Sequence, residues 1–178
     1  GLTVFRFYDI DNAEATTTTG VKLIQFTEKV TNHYYNNLLD TDEDYCIYTD
    51  TDSVFYSAIP LVKKRYPDAD ISDDKFMTEQ ILDIASEVQE YINKSYMYFA
   101  KKFLNIGEDH RFDIKQEVIA KSAFWVTKKR YGQWIINDGG LECEKLDVKG
   151  LDIVRSSFPP AFQKFMTNVL KAILHNYE

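Results

Sequence analysis

The chain has 178 residues, enough for one domain with a real core or for a domain with a short appendage. Hydrophobic residues make up 44% and charged residues 28%, which is typical of a folded soluble domain and excludes a disordered or collagen-like chain. The net charge of −7, taken as a sum, argues against a nucleic-acid partner, and no apolar run reaches the roughly 20 residues of a membrane span.

The first half of the chain predicts a helix and a hairpin. Residues 2–10 look extended, and apolar residues recurring every three or four positions predict an amphipathic helix over 21–38. The four Thr and one Gly at 16–20 are poor helix formers, so propensity predicts a loop there. Alternating aromatic and β-branched residues then predict strands at 45–48 and 53–56, joined by a turn at 50–52.

The second half predicts a long helix, three strands and a final helix. A loop rich in Pro and Asp at 66–74 precedes a helix over about 75–103. Strands are predicted at 111–120, 124–136 and 141–148, with an Asn-Asp-Gly-Gly turn between the last two. Pro159 and Pro160 open the final helix, since Pro suits the first turn.

The two cysteines carry no chemical signal. Cys46 and Cys143 each lie alone in a strand-like run and fit no metal-ligand spacing. They are interpreted as buried thiols in a reducing compartment.

Asp50 and Asp52 are the strongest candidate for chemistry. They lie two residues apart at the end of a tight hairpin, so both carboxylates can point to one place. At about 4 Å they would repel by roughly 4 kcal/mol at an effective dielectric near 20, so they need a cation, a shared proton or full solvation. Oxygen ligands favour Mg²⁺ or Mn²⁺. The alternative, that Asp and Thr are simply good turn residues, stays open on spacing alone.

Charge is distributed unevenly along the sequence. Residues 40–52 hold six acids and no base, while residues 121–133 hold four bases and no acid, including Lys128, Lys129 and Arg130 before Tyr131. A basic cluster with an aromatic residue inside a strand suits nucleic-acid phosphates. The same four letters recur at 63–66, where a solvated surface is the better interpretation. Glu117 is predicted on the strand face opposite to Gln116.

Several blocks, in order, resemble the family B DNA polymerases of the T4-like bacteriophage type. Residues 5–20 resemble the palm helix that follows the fingers, and residues 48–53 (YTDTDS) resemble the Tyr-Gly-Asp-Thr-Asp-Ser motif. Residues 124–131 (FWVTKKRY) resemble the Lys-Lys-Arg-Tyr strand, and 149–155 (KGLDIVR) the segment leading into the thumb. Thr49 departs from the usual Gly.

The resemblance implies an α+β fold, with an antiparallel palm sheet packed on helices. Residues 1–157 would be palm and 158–178 the first thumb helix, and residues 16–20 would be helical. Asp52 matches the aspartate that binds both catalytic metals, Asp50 the nearby acid, and Glu117 an auxiliary carboxylate. Lys129 matches a lysine that contacts the primer end through the minor groove, supported along the DNA by Lys128, Arg130 and Tyr131.

The implied reaction is nucleotidyl transfer from a dNTP to a primer-template DNA, with two Mg²⁺ or Mn²⁺ ions about 3.5–4 Å apart. The other metal aspartate, the fingers helix and the exonuclease are expected upstream of Gly1, so we expect the fragment alone to be inactive. A phage-encoded enzyme would act in the host cytoplasm, with no membrane partner. The alternatives are a non-catalytic DNA-binding module on the palm fold, another two-metal phosphotransferase or nuclease, and a calcium site at the Asp-rich loop.

Overall fold

The structure is a computed structural model that describes residues 9–152 and 159–175. Within those ranges four helices and five strands are present, which confirms the predicted α+β class. The strands form one two-stranded and one three-stranded antiparallel sheet. The described parts of Gly1–Ala69 and Ser86–Ile114 make up one compact unit, and those of Asp70–Ala85 and Lys115–Glu178 make up a second.

The long helix α1 (Ile10–Leu39) belongs to the first unit. Asp9 caps it, because its carboxylate accepts the backbone N–H groups of Asp11 (2.9 Å) and Asn12 (3.2 Å). Residues 16–20 are helical, so the resemblance was right and the propensity argument was wrong. A Thr costs a helix less than about 1 kcal/mol, and a long helix tolerates several such residues. Ile10 is helical rather than extended, and residues 1–8 lie outside the described ranges.

The rest of the first unit packs on α1. Strands β1 (Cys46–Asp50) and β2 (Ser53–Tyr56) form the predicted hairpin, and a short helix α2 (Ile59–Arg65) follows. The sequence did not predict α2, because seven residues are too few for a helical period to show. The helix α3 (Asp74–Leu104) confirms the prediction at 75–103, and its part from Ser86 onward belongs to the first unit. There the ring centroid of Phe99 lies 5.2 Å from that of Phe26 in α1.

The second unit is built on the strands β3 (Val118–Thr127), β4 (Arg130–Asp138) and β5 (Leu141–Lys149), in that order. The first two predicted strands were wrong in their bounds. Residues 111–117 lie outside any strand, and β3 continues to Thr127 before a two-residue turn. Irregular pairing around Ala120 interrupts the alternation on which the prediction depended. The turn at Gly139 (φ 61°) and Gly140 (φ 88°) is confirmed.

The helix α4 (Pro160–His175) confirms the predicted final helix and packs on the three-stranded sheet. Leu170 and Leu174 are buried, and the ring of His175 lies 5.5 Å from that of Trp134. In the parts of the chain that the structure describes, no helix combines the length and the apolar character needed to cross a membrane.

Candidate metal-binding hairpin and basic turn

The turn between β1 and β2 is tighter than predicted. Asp50 is the last residue of β1 and pairs with Ser53, so only Thr51 and Asp52 lie outside the ladder. The Asp52 N–H donates to the carbonyl of Asp50, and Thr51 takes a positive φ of 48°. The hydroxyl of Ser53 donates to the same carbonyl at 3.1 Å, and the Thr51 hydroxyl donates to the Asp50 carboxylate at 3.1 Å.

A β-bulge in β1 explains why Asp50 lies in the ladder. Cys46 pairs with Tyr56 and Tyr48 with Phe55, so Ile47 is an extra residue on β1. If the pairing of Cys46 with Tyr56 continued without a bulge, Thr49 would pair with Ser53 and Asp50 would lie in the turn. Tyr56 faces α1, where its hydroxyl donates to the carbonyl of Glu28 at 3.0 Å. Along β2 the side chains alternate between the two faces, so Phe55 and Ser53 lie on the face opposite to Tyr56. Their partners in β1, Tyr48 and Asp50, therefore lie on the face away from α1.

The two hairpin carboxylates are accessible and are oxygen donors. Asp50 is half-buried and Asp52 is exposed. Their chemistry suits a hard divalent cation, for which they would supply part of the ligand set. Among the described residues, no cluster of three or more His, Cys, Asp or Glu side chains is arranged to hold a metal ion. The hairpin therefore offers two carboxylate side chains, fewer than the ligand set that a six-coordinate ion needs.

Glu117 lies in the second unit, in a segment without regular secondary structure directly before β3, rather than in a strand as predicted. Its backbone carbonyl accepts the N–H of Gly139 at 2.7 Å, which ties this segment to the turn between β4 and β5. The side chain of Glu117 is exposed, whereas Gln116 and Val118 are half-buried. These exposures agree with the prediction that the side chain of Glu117 lies on the face opposite to that of Gln116.

The Lys-Lys-Arg-Tyr segment at 128–131 forms a hairpin tip, not the interior of a strand. Lys128 and Lys129 are the two turn residues between β3 and β4, and both are exposed. Lys129 has a φ of 62°, in the left-handed region. Arg130 is half-buried and its guanidinium contacts Asp152 at 3.3 Å, while Tyr131 is only 7% exposed. The two lysines are therefore the part of this segment most accessible to a ligand, and Tyr131 supports the turn from within the sheet.

Gly150 was not singled out by the sequence analysis, although it lies directly against this turn. It has a φ of 64°, and a Cβ at this position would overlap the backbone carbonyl of Lys129. A side chain would therefore displace the turn. The sequence signal that could have found it is the Gly that follows the last strand, where a positive φ is common.

The second Lys-Lys-Arg-Tyr segment, at 63–66, has a different structure. Its first three residues end α2, and Arg65 donates to the carboxylate of Glu87 at 2.9 Å. The hydroxyl of Tyr34 donates to the same carboxylate at 3.1 Å. The hydrogen bond from Arg65, and to a smaller extent the one from Tyr34, lowers the pKa of Glu87 below its ordinary value. All four residues are exposed, as the interpretation of a solvated surface expects, and Arg65 in addition forms a surface ion pair with Glu87.

Comparison with known proteins identifies relatives of the whole chain. The family model for DNA polymerase family B matches residues 1–178. The DNA-directed DNA polymerase of Escherichia phage RB69 is 29% identical over 98% of the chain, and that of Enterobacteria phage T4 is 27% identical over 98%. The chain spans 20% of the length of each of these relatives.

Proposed function

Because this chain belongs to the family B DNA polymerases, we propose that it forms part of a DNA-directed DNA polymerase that extends a primer on a DNA template from dNTPs. The observation that carries the proposal is the family match over residues 1–178, which includes the acidic hairpin and the basic turn. The chain would work within a longer polypeptide that supplies the fingers, the exonuclease and the N-terminal part of the palm. Residues 1–157 would belong to the palm and 158–178 to the start of the thumb. A phage-encoded enzyme of this kind would act in the host cytoplasm.

In this proposal Asp52 and Asp50 hold the catalytic Mg²⁺ or Mn²⁺ ions, with Glu117 as an auxiliary carboxylate. Two such ions, when bound, would activate the primer 3′-hydroxyl and stabilise the triphosphate and its leaving group. The hairpin contributes by orienting its carboxylates. The ladder pair with Ser53 and the two hydroxyl contacts restrict Asp50, while Asp52 projects from the turn into solvent.

The basic turn would bind the primer-template duplex. Lys128 and Lys129 are exposed at a hairpin tip, which suits contact with phosphates or with a groove. We assign the primer-end contact in the minor groove to Lys129. Arg130 and Tyr131 would act mainly by holding the tip, since one contacts Asp152 and the other is buried.

The test is primer extension by the full-length protein that contains this chain. We expect Asp52→Asn to lower the rate constant of nucleotide incorporation by at least about 100-fold, the scale of losing a preorganised charge at a reacting centre. Primer-template binding should change little. Asp109→Asn is the matched control, since Asp109 is an exposed acid in the loop that follows α3 and lies outside the hairpin.

Equal activity of the two variants would refute the metal role of Asp52. A full-length protein that binds primer-template without extending it, and loses binding on Lys129→Ala but not on Asp52→Asn, would favour the non-catalytic binding module. Metal-dependent DNA cleavage without synthesis would favour a nuclease.

A further inference from the structure

The segment that connects α1 to the hairpin has no strand or helix of its own. After α1 ends, Asp40 reverses the chain in the left-handed conformation (φ 57°), and residues 41–45 run back toward β1 without a strand partner. Residues 41–46 are called the return segment below. No sheet ladder pairs the backbone N–H and C=O groups of residues 41–45, which are left to other groups of the protein or to water.

Asn36 of α1 supplies the first set of partners. Its side-chain nitrogen donates to the carbonyl of Glu43 at 2.9 Å, and its side-chain oxygen accepts the N–H of Glu43 at 2.9 Å. One amide thus binds both backbone groups of one residue, as a neighbouring strand does in an antiparallel pair. The same oxygen accepts the hydroxyl of Thr41 at 2.9 Å. These bonds fix the middle of the return segment on the helix.

Asn32, four residues earlier in α1, supplies the second set. Its oxygen accepts the N–H of Tyr45 at 2.9 Å, and its nitrogen donates to the carboxylate of Asp44 at 2.8 Å. The same Asp44 oxygen accepts the N–H of Cys46 at 2.9 Å. Asn32 and Asp44 together bind two successive backbone N–H groups, the second of which belongs to the first residue of β1.

These contacts determine where β1 begins, and β1 leads directly to Asp50. Asp50 follows Cys46 by four positions, which span at most about 13 Å at roughly 3.3 Å per residue. A small rotation at the start of the strand therefore displaces the turn by more than it displaces the start.

We propose that Asn32 and Asn36 are positioning residues for the hairpin carboxylates. By holding the return segment they set where Asp50 and Asp52 lie, a role that rests on the proposed function of the hairpin in polymerisation. Because a misplacement of about 1 Å can cost on the order of 100-fold in rate, their loss affects catalysis more than DNA binding.

Asn32→Asp in the full-length polymerase tests the proposal. The substitution keeps the size of the side chain and the acceptor for Tyr45, but it removes the donor and places a second carboxylate against Asp44. We expect kcat for single-nucleotide incorporation to fall at least about tenfold. The Mg²⁺ or Mn²⁺ concentration for half-maximal rate should rise, while the Kd for primer-template stays unchanged. Asn36→Asp removes the donor to Glu43 and should act in the same direction.

Asn37→Asp is the matched control. It makes the same chemical change on the same helix, but Asn37 is exposed and its amide contacts His33 at 3.0 Å rather than the return segment. The control should keep both kcat and the metal dependence. A second comparison uses Asp44→Asn, which removes the like charge. Asn32→Asp should cost less in that background than in the unsubstituted protein.

Three results would overturn the proposal. The first is that Asn32→Asp has the same kcat and metal dependence as Asn37→Asp. The second is that Asn32→Asp loses activity only in proportion to its folded fraction, as measured by thermal unfolding. The third is that Asn32→Asp lowers kcat by the same factor in the Asp44→Asn background as in the unsubstituted protein. Failure of the unsubstituted full-length protein to incorporate any nucleotide would overturn the proposed function, and this inference with it.

Discussion

Lys64 and Lys129 occupy equivalent places in two copies of the tetrapeptide Lys-Lys-Arg-Tyr. The first copy ends a helix, with its Arg paired to Glu87, and the second begins at a hairpin tip. Both lysines are exposed, so exposure alone does not distinguish them. The difference is in the backbone, because Lys129 is held at a positive φ by the turn.

This pair gives a matched test of the DNA contact. We expect Lys129→Ala to weaken primer-template binding by the full-length protein and to lower the slope of log Kd against log salt concentration by about one, because one positive charge is removed from the DNA interface. Lys64→Ala removes the same charge from the other copy and should leave the slope unchanged. Equal slopes for the two variants would argue against the basic turn as a DNA-binding element.

Cys46 provides a second test at the scale of one residue. Burial raises its pKa to about 11 from the ordinary value of 9.0, with nearby Glu28 adding to the shift. The thiol should therefore react with iodoacetamide at pH 8 more slowly than a free cysteine does, with a rate that rises toward pH 11. Because the folded pKa is raised, the stability that this thiol contributes is present below pH 9.0 and is lost as the pH rises through about 11. Reaction at the rate of free cysteine would contradict the burial.

At the scale of elements, asparagine side chains take the place of strand partners. Asn32 and Asn36 bind the return segment, and Asn93 of α3 does the same for Ile114, accepting its N–H at 2.8 Å and donating to its carbonyl at 3.0 Å. In each case a helix stabilises an irregular segment of the first unit without a sheet ladder. Hydrophobic periodicity does not predict these contacts, because the residues are polar and act through the backbone.

Two glycines should respond in opposite ways to the same substitution. A Cβ at Gly20, inside α1, meets nothing within 4 Å, so Gly20→Ala should stabilise the helix by about 0.5–1 kcal/mol. A Cβ at Gly150 would overlap the Lys129 carbonyl, and the residue has a φ of 64°. Gly150→Ala should therefore lower the melting temperature and weaken primer-template binding. Thermal unfolding of both variants checks this, and a stabilising Gly150→Ala would contradict the structure of the basic turn.

At the scale of the whole molecule, the sequence predicted most elements and missed those that depend on tertiary contacts. The helices at 21–38 and 75–103 and the hairpins with turns near Asp52 and Gly139 were predicted because their apolar patterns are long or their turn residues are specific. The bounds of β3 and the tight turn at Asp50 were not, because bulges change the alternation on which strand prediction depends. The contact of Asn32 with Tyr45 and that of Gly150 with the Lys129 carbonyl were not predicted, because each joins groups more than ten residues apart in sequence.

The isolated chain should not polymerise. The hairpin carboxylates supply two ligand groups, and two ions with about six oxygen ligands each need several more. We expect the purified 178-residue chain, with primer-template, dNTPs and Mg²⁺, to incorporate no nucleotide, while the full-length protein does. Incorporation by the isolated chain would show that it contains a complete active site.

The bulge at Ile47 also decides how a deletion in β1 changes the face on which the Asp50 side chain lies. Deletion of Ile47 would remove the bulge and make Cys46 and Tyr48 consecutive in the ladder. Each paired side chain would then stay on its present face of the hairpin. Loss of Thr49 would turn the Asp50 side chain toward α1 and place a carboxylate against the helix. The face on which the Asp50 carboxylate lies thus depends on whether the number of residues between Tyr48 and Asp50 is odd or even.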